Sequence, residues 1–310
     1  MKTANRTSPP IPRRVVRRSL STPLALAIGD EEPLGPPWQV SPTSSQNILT
    51  SLNREDIEKR LRRYGALLFR GFAPTMDEFK SLTAKFCEYF ISYPGEHRGR
   101  VANETDIQTV DVKKVRIRLH SEMSYSPMRP DLAWFFCVVP PKEGGATILC
   151  DGIAMADAMP PAVKRWLAGR RLRFKTDVGP RTWQKMFGCK TIAQLRNVIR
   201  QRSYKDTAVI GDRIRIDHLT APLAPTKYGK RVAFCNNLML HRGMQTDVYF
   251  ADGSVLPDSI YDELVRVSDG LTVEIAWKSG DVLMVDNTRM MHGRRTVLDD
   301  ERLVLTRFGS

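Results

Sequence analysis

One histidine and one glutamate of this chain have the types and the spacing that metal binding requires. His120 and Glu122 are separated by a single residue in the segment 115–122. On a β-strand, residues two apart project to the same face, so this imidazole and this carboxylate would stand side by side and could bind one cation. The pair needs a distant partner. His292 is a candidate, because it ends a run that leads from an apolar strand into a turn.

The same residues also fit ordinary structural roles. The apolar face of the strand would hold Val115, Ile117 and Leu119, and the ionisable face would hold Arg116, Arg118, His120 and Glu122. A sheet with one solvated face gives the same alternation. A single histidine after an apolar strand is commonly a structural residue with a hydrogen-bond partner. The metal hypothesis therefore depends on these residues occurring together.

The elements that would position these residues are mostly strands. Runs of strand length occur at 66–71, 115–122, 132–139, 212–218, 231–236, 271–276, 281–285 and 302–308. Helical spacing of apolar residues occurs at 54–64, where Gly65 stands in the position of a C-cap, and again at 76–90. Strands at both ends of the chain, with helices before and between them, predict a mainly β fold, a sandwich or barrel with added helices.

Residues 154–203 interrupt the series of strands. They contain three predicted helices, at 155–167, 181–187 and 191–200. We expect them to form a helical insertion within one domain that spans residues 21–310. Such an insertion could act as a lid over a site at the mouth of the barrel.

Residues 1–20 are rich in Pro, Ser, Thr and Arg and are predicted to form a mobile basic tail. No apolar segment of the kind found in a secretory signal follows the arginines. A basic, Ser-rich transit peptide fits the same residues, although 24–28 reads equally well as a first strand. Five cysteines without a C-x-x-C pair predict buried thiols in a reducing, cytoplasmic compartment. The longest apolar run, 132–139, is too short to cross a membrane.

The net charge of +14 raises the alternative of a protein that acts on nucleic acid. Six cations precede Asp30, the first acid, which leaves +8 for the rest of the chain. We expect these other cations to be dispersed over the surface, and no stacking motif or recognition helix is apparent in the sequence. Nucleic acid is therefore the weaker hypothesis.

Several short motifs occur in a fixed order along the chain. They are His-Ser-Glu at 120–122, Gly-Gly-Ala-Thr at 144–147, Gly-Asp at 280–281, Asp-Asn at 286–287, His-Gly-Arg at 292–294 and, last, Arg302. Jointly they resemble the TauD/TfdA family of Fe(II)- and 2-oxoglutarate-dependent dioxygenases, and within it the SyrP-like branch. The likeness extends from about residue 63 to the C-terminus, and 120–127 is its most specific piece.

The resemblance implies a double-stranded β-helix, a cupin-like jelly roll whose mouth holds the metal. It implies that His120, Glu122 and His292 are the catalytic metal ligands, which leave three positions on Fe(II) for 2-oxoglutarate and O₂. Zinc would accept the same ligands, but the chain lacks the H-E-x-x-H motif of zinc peptidases, so iron is preferred. The implied reaction is oxidation of an unactivated C–H bond, by default hydroxylation. Halogenation is not expected, because Glu122 fills the position that a halide takes in halogenating relatives.

The resemblance also implies how 2-oxoglutarate binds. Arg302 would pair with its distal carboxylate, and Thr147 would donate a hydroxyl to the same group. Strand alternation over 302–308 puts Arg302 and Thr306 on one face and Arg307 on the other, where a structural role is expected. Taurine-type members hold the sulfonate with a second arginine at the position of Thr306, so taurine is disfavoured here.

The substrate is predicted to be small and anionic or amino-acid-like, and either free or tethered to a carrier protein. Its contacts are expected from Arg98, Arg100, Arg116, Arg118 and Asn287. A cavity lined by several guanidinium groups is costly to desolvate unless anions fill it. The remaining alternative is a jelly-roll binding module without catalysis.

Overall fold

The computed structural model describes residues 37–43, 48–93, 98–99, 101, 104–202, 204, 206–243, 249–299 and 301–310. The predicted tail at 1–20, the alternative first strand at 24–28 and Arg100 lie outside these residues. Among the described helices, none is both long enough and apolar enough to span a bilayer.

Short strands dominate the described chain. In chain order they are β1 (Trp38–Val40), β2 (Ala66–Phe69), β3 (Phe90–Ile91), β4 (Ile107–Thr109), β5 (Ile117–His120), β6 (Leu132–Val139), β7 (Thr147–Asp151), β8 (Leu172–Val178), β9 (Thr207–Ile210), β10 (Arg213–Thr220), β11 (Ala224–Pro225), β12 (Val232–Ala233), β13 (Tyr249–Phe250), β14 (Val273–Ile275), β15 (Val282–Asp286), β16 (Met290–Arg294) and β17 (Leu303–Gly309). The α-helices are α1 (Arg54–Tyr64), α2 (Met76–Ala84), α3 (Gly152–Ala158), α4 (Pro161–Leu167), α5 (Pro180–Phe187), α6 (Ile192–Gln201), α7 (Leu238–Gly243) and α8 (Asp258–Leu271).

Two sheets that face each other form the barrel. The larger has the order β1-β2-β15-β6-β17-β3, with β4 paired to β17, and the smaller has the order β14-β7-β16-β5. Apolar side chains of both sheets fill the space between them, among them Phe135, Leu149, Leu283 and Val304. Strands distant in sequence are neighbours in both sheets, as in a jelly roll. The predicted mainly β, jelly-roll fold is confirmed.

Helices cover the outer faces of both sheets. Ile57 and Leu61 of α1 pack on the larger sheet, and Leu264 of α8 packs on the smaller one. The predicted C-cap of α1 is present: Gly65 has a left-handed φ of 75°, and a Cβ there would lie 2.7 Å from Met290 Sδ. The first helix is thereby fixed against β16, the strand that carries His292.

The insertion at 154–203 differs in two ways from its predicted form. The helix expected at 155–167 is split into α3 and α4 at Met159, which is extended because it precedes Pro160. A strand, β8, lies between α4 and α5 and joins β13, β10 and β9 in a further four-stranded sheet. Its central residues, 175–177, are exposed and polar, so the sequence offers no apolar alternation there.

Candidate metal centre

The two histidines lie on adjacent antiparallel strands of the smaller sheet. His120 on β5 is directly opposite His292 on β16, and their ring centroids are 4.5 Å apart. Gly293 permits this close pairing, because a Cβ there would lie 2.6 Å from the Ile117 carbonyl oxygen. The sheet itself therefore brings together two imidazoles that are far apart in the sequence.

Glu122 reaches the two histidines from the turn that follows β5. One ligand atom from each of the three side chains lies within 4.8 Å of the others, and all three residues are buried. We call His120, Glu122 and His292 the metal centre.

The side chain of Asn287 holds the Glu122 turn in place. Its Oδ1 accepts hydrogen bonds from the backbone N–H of Glu122 at 2.8 Å and from Ser121 Oγ at 3.2 Å. Its Nδ2 donates to the carbonyl oxygens of Glu122 and Pro130, at 3.0 and 2.8 Å. Asn287 was expected to contact substrate, but its polar atoms are engaged with the protein backbone instead.

The protonation states of the metal centre suit a divalent cation. His120 Nδ1 donates to the Arg118 carbonyl oxygen at 2.9 Å, which leaves Nε2 as the free ligand atom. Burial, aided by the neighbouring His292, lowers the pKa of His120 to about 4, so its imidazole is neutral at pH 7. Burial alone would raise the pKa of Glu122, but Arg98 and the two histidines bring it well below its usual value. Metal ligands must be deprotonated, and His120 and Glu122 meet this requirement.

These residues fit a mononuclear Fe(II) ion. His292 Nε2 is 3.9 Å from Glu122 Oε2, so small side-chain shifts bring both atoms to one ion. His292 Nδ1 is buried without a partner among the described residues. Two imidazoles and one carboxylate are the donor set of non-haem Fe(II) oxygenases, and they leave coordination positions open.

A family model matches most of the chain. Residues 21–308 match the model of the family described as taurine catabolism dioxygenase TauD, TfdA family. This chain belongs to the TauD/TfdA family. It is accordingly an Fe(II)- and 2-oxoglutarate-dependent dioxygenase that uses O₂, and the predicted activity class and cofactors are confirmed.

Relatives of known sequence or structure are distant but cover most of the chain. A clavaminate synthase-like protein of Arabidopsis thaliana is 26% identical over 289 residues, 85% of this chain and 86% of that one. The dapdiamide synthesis protein DdaC of Enterobacter agglomerans is 22% identical over 292 residues, 84% and 87% of the two chains. A taurine dioxygenase structure from Burkholderia xenovorans superposes with a TM-score of 0.60 at 15% identity, covering 89% and 87%, and supports the fold.

In this TauD/TfdA-family chain, the buried Arg294 and the half-buried Arg302 lie beyond the metal centre along the barrel. Arg294 follows His292 on β16 and is paired with Thr147 of β7, and Arg302 directly precedes β17. The Nε atoms of both arginines are buried without a partner among the described residues. We call Arg294, Arg302 and Thr147 the arginine end.

The surroundings of Arg302 are those of an anion site. Burial, together with the nearby Arg294, lowers the pKa of Arg302 to about 10. Arg302 and Arg294 both line a cavity of about 150 Å³. Gly145 packs against Arg302, and a Cβ there would lie 3.1 Å from Arg302 Cδ. Thr147 Oγ1 accepts a hydrogen bond from Trp277 Nε1 at 2.9 Å, so its own O–H stays available to an acceptor.

Arg307 has the contacts expected of a structural residue. Its Nε and Nη2 donate to Asp106 Oδ2 at 2.9 and 2.7 Å, and its guanidinium lies 3.4 Å from the ring centroid of Phe90. Nη1 donates to Thr83 Oγ1 on α2. The strand register that separates Arg302 from Arg307 is therefore as predicted.

Arg98 contacts the metal centre. Its Nη2 donates to Glu122 Oε2 at 2.7 Å, and its guanidinium lies between the rings of Tyr93 and Phe308, at 4.5 and 4.8 Å. Its Nη1 is buried without a partner in the described part of the chain. Of the arginines expected around the substrate, Arg98 lies beside the metal ligands.

Arg116 and Arg118 do not lie in the barrel, contrary to their predicted inward orientation. Arg116 is 3.9 Å from Asp269, and Arg118 lies 5.9 Å from the ring centroid of Tyr261, both on α8 at the outer face of the sheet. The cause is a register shift in the pairing of β5 with β16, which rotates the strand before His120. Simple alternation does not anticipate such a bulge.

An aromatic wall beside the metal centre was not predicted. Tyr125 lies edge-on to Phe174 and His241, with ring centroids 6.4 and 6.0 Å away, and shares a hydrogen bond with Tyr93. Burial raises the pKa of Tyr125 well above its usual value, so the hydroxyl stays protonated. Tyr125 stands three residues after Glu122, within the motif 120–127, and this position could have indicated that it lies near the metal centre. No pattern in the sequence indicates the same for His241 and Phe174.

Proposed function

We propose that this dioxygenase hydroxylates a C–H bond of a small molecule that carries an anionic group, with an amino-acid-like compound as the leading class. The observation that carries the substrate class is Arg98, a largely buried guanidinium at the metal centre whose buried Nη1 has no described partner. A buried cation with an unsatisfied donor is costly, and a carboxylate, sulfate or similar group on the substrate removes that cost.

The residues of the chain would then divide the work as follows. His120, Glu122 and His292 would hold Fe(II), which with 2-oxoglutarate activates O₂ for C–H oxidation and yields succinate and CO₂. Arg302 and Thr147 would bind the distal carboxylate of 2-oxoglutarate. Arg98 would bind the substrate anion and keep Glu122 ionised.

Two further observations support a small substrate from a biosynthetic pathway. A relative that matches 84% of the chain is named for dapdiamide synthesis. The aromatic wall of Tyr125, Phe174 and His241 offers ring faces for an apolar or aromatic part of the substrate. The substrate arrives either free or on a carrier protein. We place the reaction in the cytoplasm, since all five cysteines are free and buried.

A substrate screen tests the proposal. The Fe(II)-loaded enzyme is incubated with 2-oxoglutarate and panels of amino acids, other carboxylates, sulfonates and matched neutral amides. We expect at least one anionic compound to increase succinate formation above the uncoupled background and to gain one oxygen atom by mass spectrometry. Stimulation by neutral compounds alone would contradict the anionic class. Chlorination in high chloride would contradict Glu122 as a ligand.

The role of Arg98 is tested with a matched variant. Arg98→Gln is expected to raise KM for the anionic substrate by about tenfold to 100-fold, because a charge-assisted hydrogen bond is lost. Arg116→Gln on the outer face is the control and should leave KM unchanged. Equal KM values in both variants would remove Arg98 from the substrate site.

A further inference from the structure

The helix pair α5 and α6 carries cations without acids. Residues 179–205 contain seven lysines and arginines and no aspartate or glutamate. The wider segment 164–215 has fifteen cations and three acids, a net charge of +12. Outside this segment and residues 1–29, the chain has 27 cations and 31 acids. The expectation that the cations are dispersed is therefore wrong.

The sheet next to these helices is also rich in cations, but there most of them form ion pairs. Arg173 of β8 pairs with Asp217, and Arg213 of β10 pairs with Asp177. The helix pair also has exposed cations. We call its exposed cations the basic face: Arg181, Lys190, Arg196 and Arg200. None of them forms an ion pair with any residue in the described ranges.

The spacing of two of these cations costs helix stability. Arg196 and Arg200 are four residues apart on α6. Like charges at this spacing repel and destabilise a helix. A negatively charged surface placed against the helices would remove that repulsion, so the basic face is complementary to an acidic partner.

The basic face lies close to the metal centre. Trp183 of α5 and Leu195 of α6 pack in one apolar cluster with Met123, the residue after Glu122, and Tyr125 packs against the same cluster. The inner sides of these helices thus support the turn that holds Glu122. A partner bound to their outer side would be one helix layer away from the site of reaction.

We propose that the basic face docks an acidic protein that delivers the substrate. The inference rests on the proposed function. A protein partner can carry a small substrate to the enzyme, whereas a nucleic acid would have no such role in turnover. Within 180–202 no aromatic side chain is exposed, so the face offers no platform for stacked bases. Carboxylates four residues apart on an acidic helix match the spacing of Arg196 and Arg200.

The test uses the full chain and a labelled poly-L-glutamate peptide as probe, with binding followed by fluorescence anisotropy. Arg196→Glu together with Arg200→Glu is compared with Lys59→Glu together with Lys278→Glu, which makes the same change in net charge at exposed positions outside the insertion. We expect the wild type and the control to bind, and the basic-face variant to bind about tenfold more weakly. The difference should shrink as salt is added.

Equal binding by the two double variants would overturn the proposal. It would also be overturned if duplex DNA or vesicles of anionic phospholipid bound more tightly than the peptide and lost affinity in the basic-face variant alone. 2-Oxoglutarate affinity measured on the same three proteins should be equal. If none of them binds 2-oxoglutarate, the proposed function fails while the docking result stands by itself.

Discussion

The metal centre and the arginine end belong to the same barrel and differ in how their polar groups are satisfied. At the metal centre, His120 Nδ1 donates to a carbonyl oxygen and Asn287 makes hydrogen bonds to the backbone on both sides of the Glu122 turn, while His292 Nδ1 and Arg98 Nη1 lack a described partner. At the arginine end, Arg294 and Arg302 each keep a buried Nε without a partner in the described chain, beside a cavity.

The two regions therefore contribute differently: the metal centre positions ligand atoms, and the arginine end supplies positive charge. Hydrogen bonds within the protein hold His120 and the Glu122 turn in position, so these two ligands are organised before a metal binds. The arginine end has excess positive charge, which a bound carboxylate would neutralise. We therefore expect changes at the metal centre to alter metal affinity, and changes at the arginine end to alter 2-oxoglutarate affinity.

The largest effect should come from removing a ligand. His292→Ala is expected to weaken binding of Fe(II), or of Co(II) as a spectroscopic substitute, by at least about 100-fold. His218→Ala is the control, because His218 lies on β10, in the sheet that contains β8, and pairs with Asp206. Metal affinity measured by titration should separate the two variants. Similar affinities would contradict the assignment of the metal centre.

The next largest effect concerns the two arginines of the last strand. Arg302→Ala should weaken 2-oxoglutarate binding by about 100-fold, because the distal carboxylate loses a charge-assisted hydrogen bond. Arg307→Ala should instead lower the free energy of unfolding by about 3 kcal/mol, since Asp106 loses its partner. Calorimetric titration and thermal unfolding measure the two quantities. A larger loss of 2-oxoglutarate affinity in Arg307→Ala would show that the anchor is misassigned.

Asp286, the last residue of β15 and the neighbour of Asn287 in sequence, predicts a pH dependence. Its Oδ2 is buried without a described partner, and burial raises its pKa from 3.8 to about 6. Between these values the folded state retains a proton that the unfolded chain has lost, so stability falls as pH rises from about 4 to 6, by about 2 kcal/mol. Asp286→Asn should flatten that dependence in urea unfolding. An unchanged slope would rule out Asp286 as its source.

A smaller effect is expected from the residue that positions Glu122. Asn287→Ala should weaken metal binding by about tenfold without removing a ligand. Asn197→Ala, on the exposed side of α6, is a control that should change nothing. If the first variant lost substrate affinity but kept full metal affinity, Asn287 would be a substrate contact after all.

The sequence predicted the parts of the site that depend on local spacing or on a family motif. His120 ends β5, but Glu122 lies in the turn after the strand and comes near the same point as the two histidines. Alternation correctly separated Arg302 from Arg307. It failed for Arg116 and Arg118, because a bulge between strands reverses the face of a residue without changing its neighbours in sequence. Contacts such as Arg98 with Glu122 depend on tertiary packing and have no local signal.

Other features were available in the sequence but were not recognised. Residues 179–205 contain no acid, which can be read directly from the sequence, but the cluster of cations before Asp30 is more conspicuous. The split of the helix at 155–167 could have been read from Pro160 and Pro161. β8 could not, because its exposed centre carries polar residues that no period-two pattern distinguishes from a loop.

The most direct test of the account is an anaerobic titration of the apoprotein with Fe(II) and 2-oxoglutarate, monitored by visible absorption. Three protein ligands leave room for 2-oxoglutarate to chelate the iron, so we expect a weak charge-transfer band that requires both components. The band should be lost in His292→Ala and should need far more 2-oxoglutarate in Arg302→Ala. Absence of a band in the wild type, with 2-oxoglutarate affinity unaffected by iron, would contradict the assignment of both ends of the barrel.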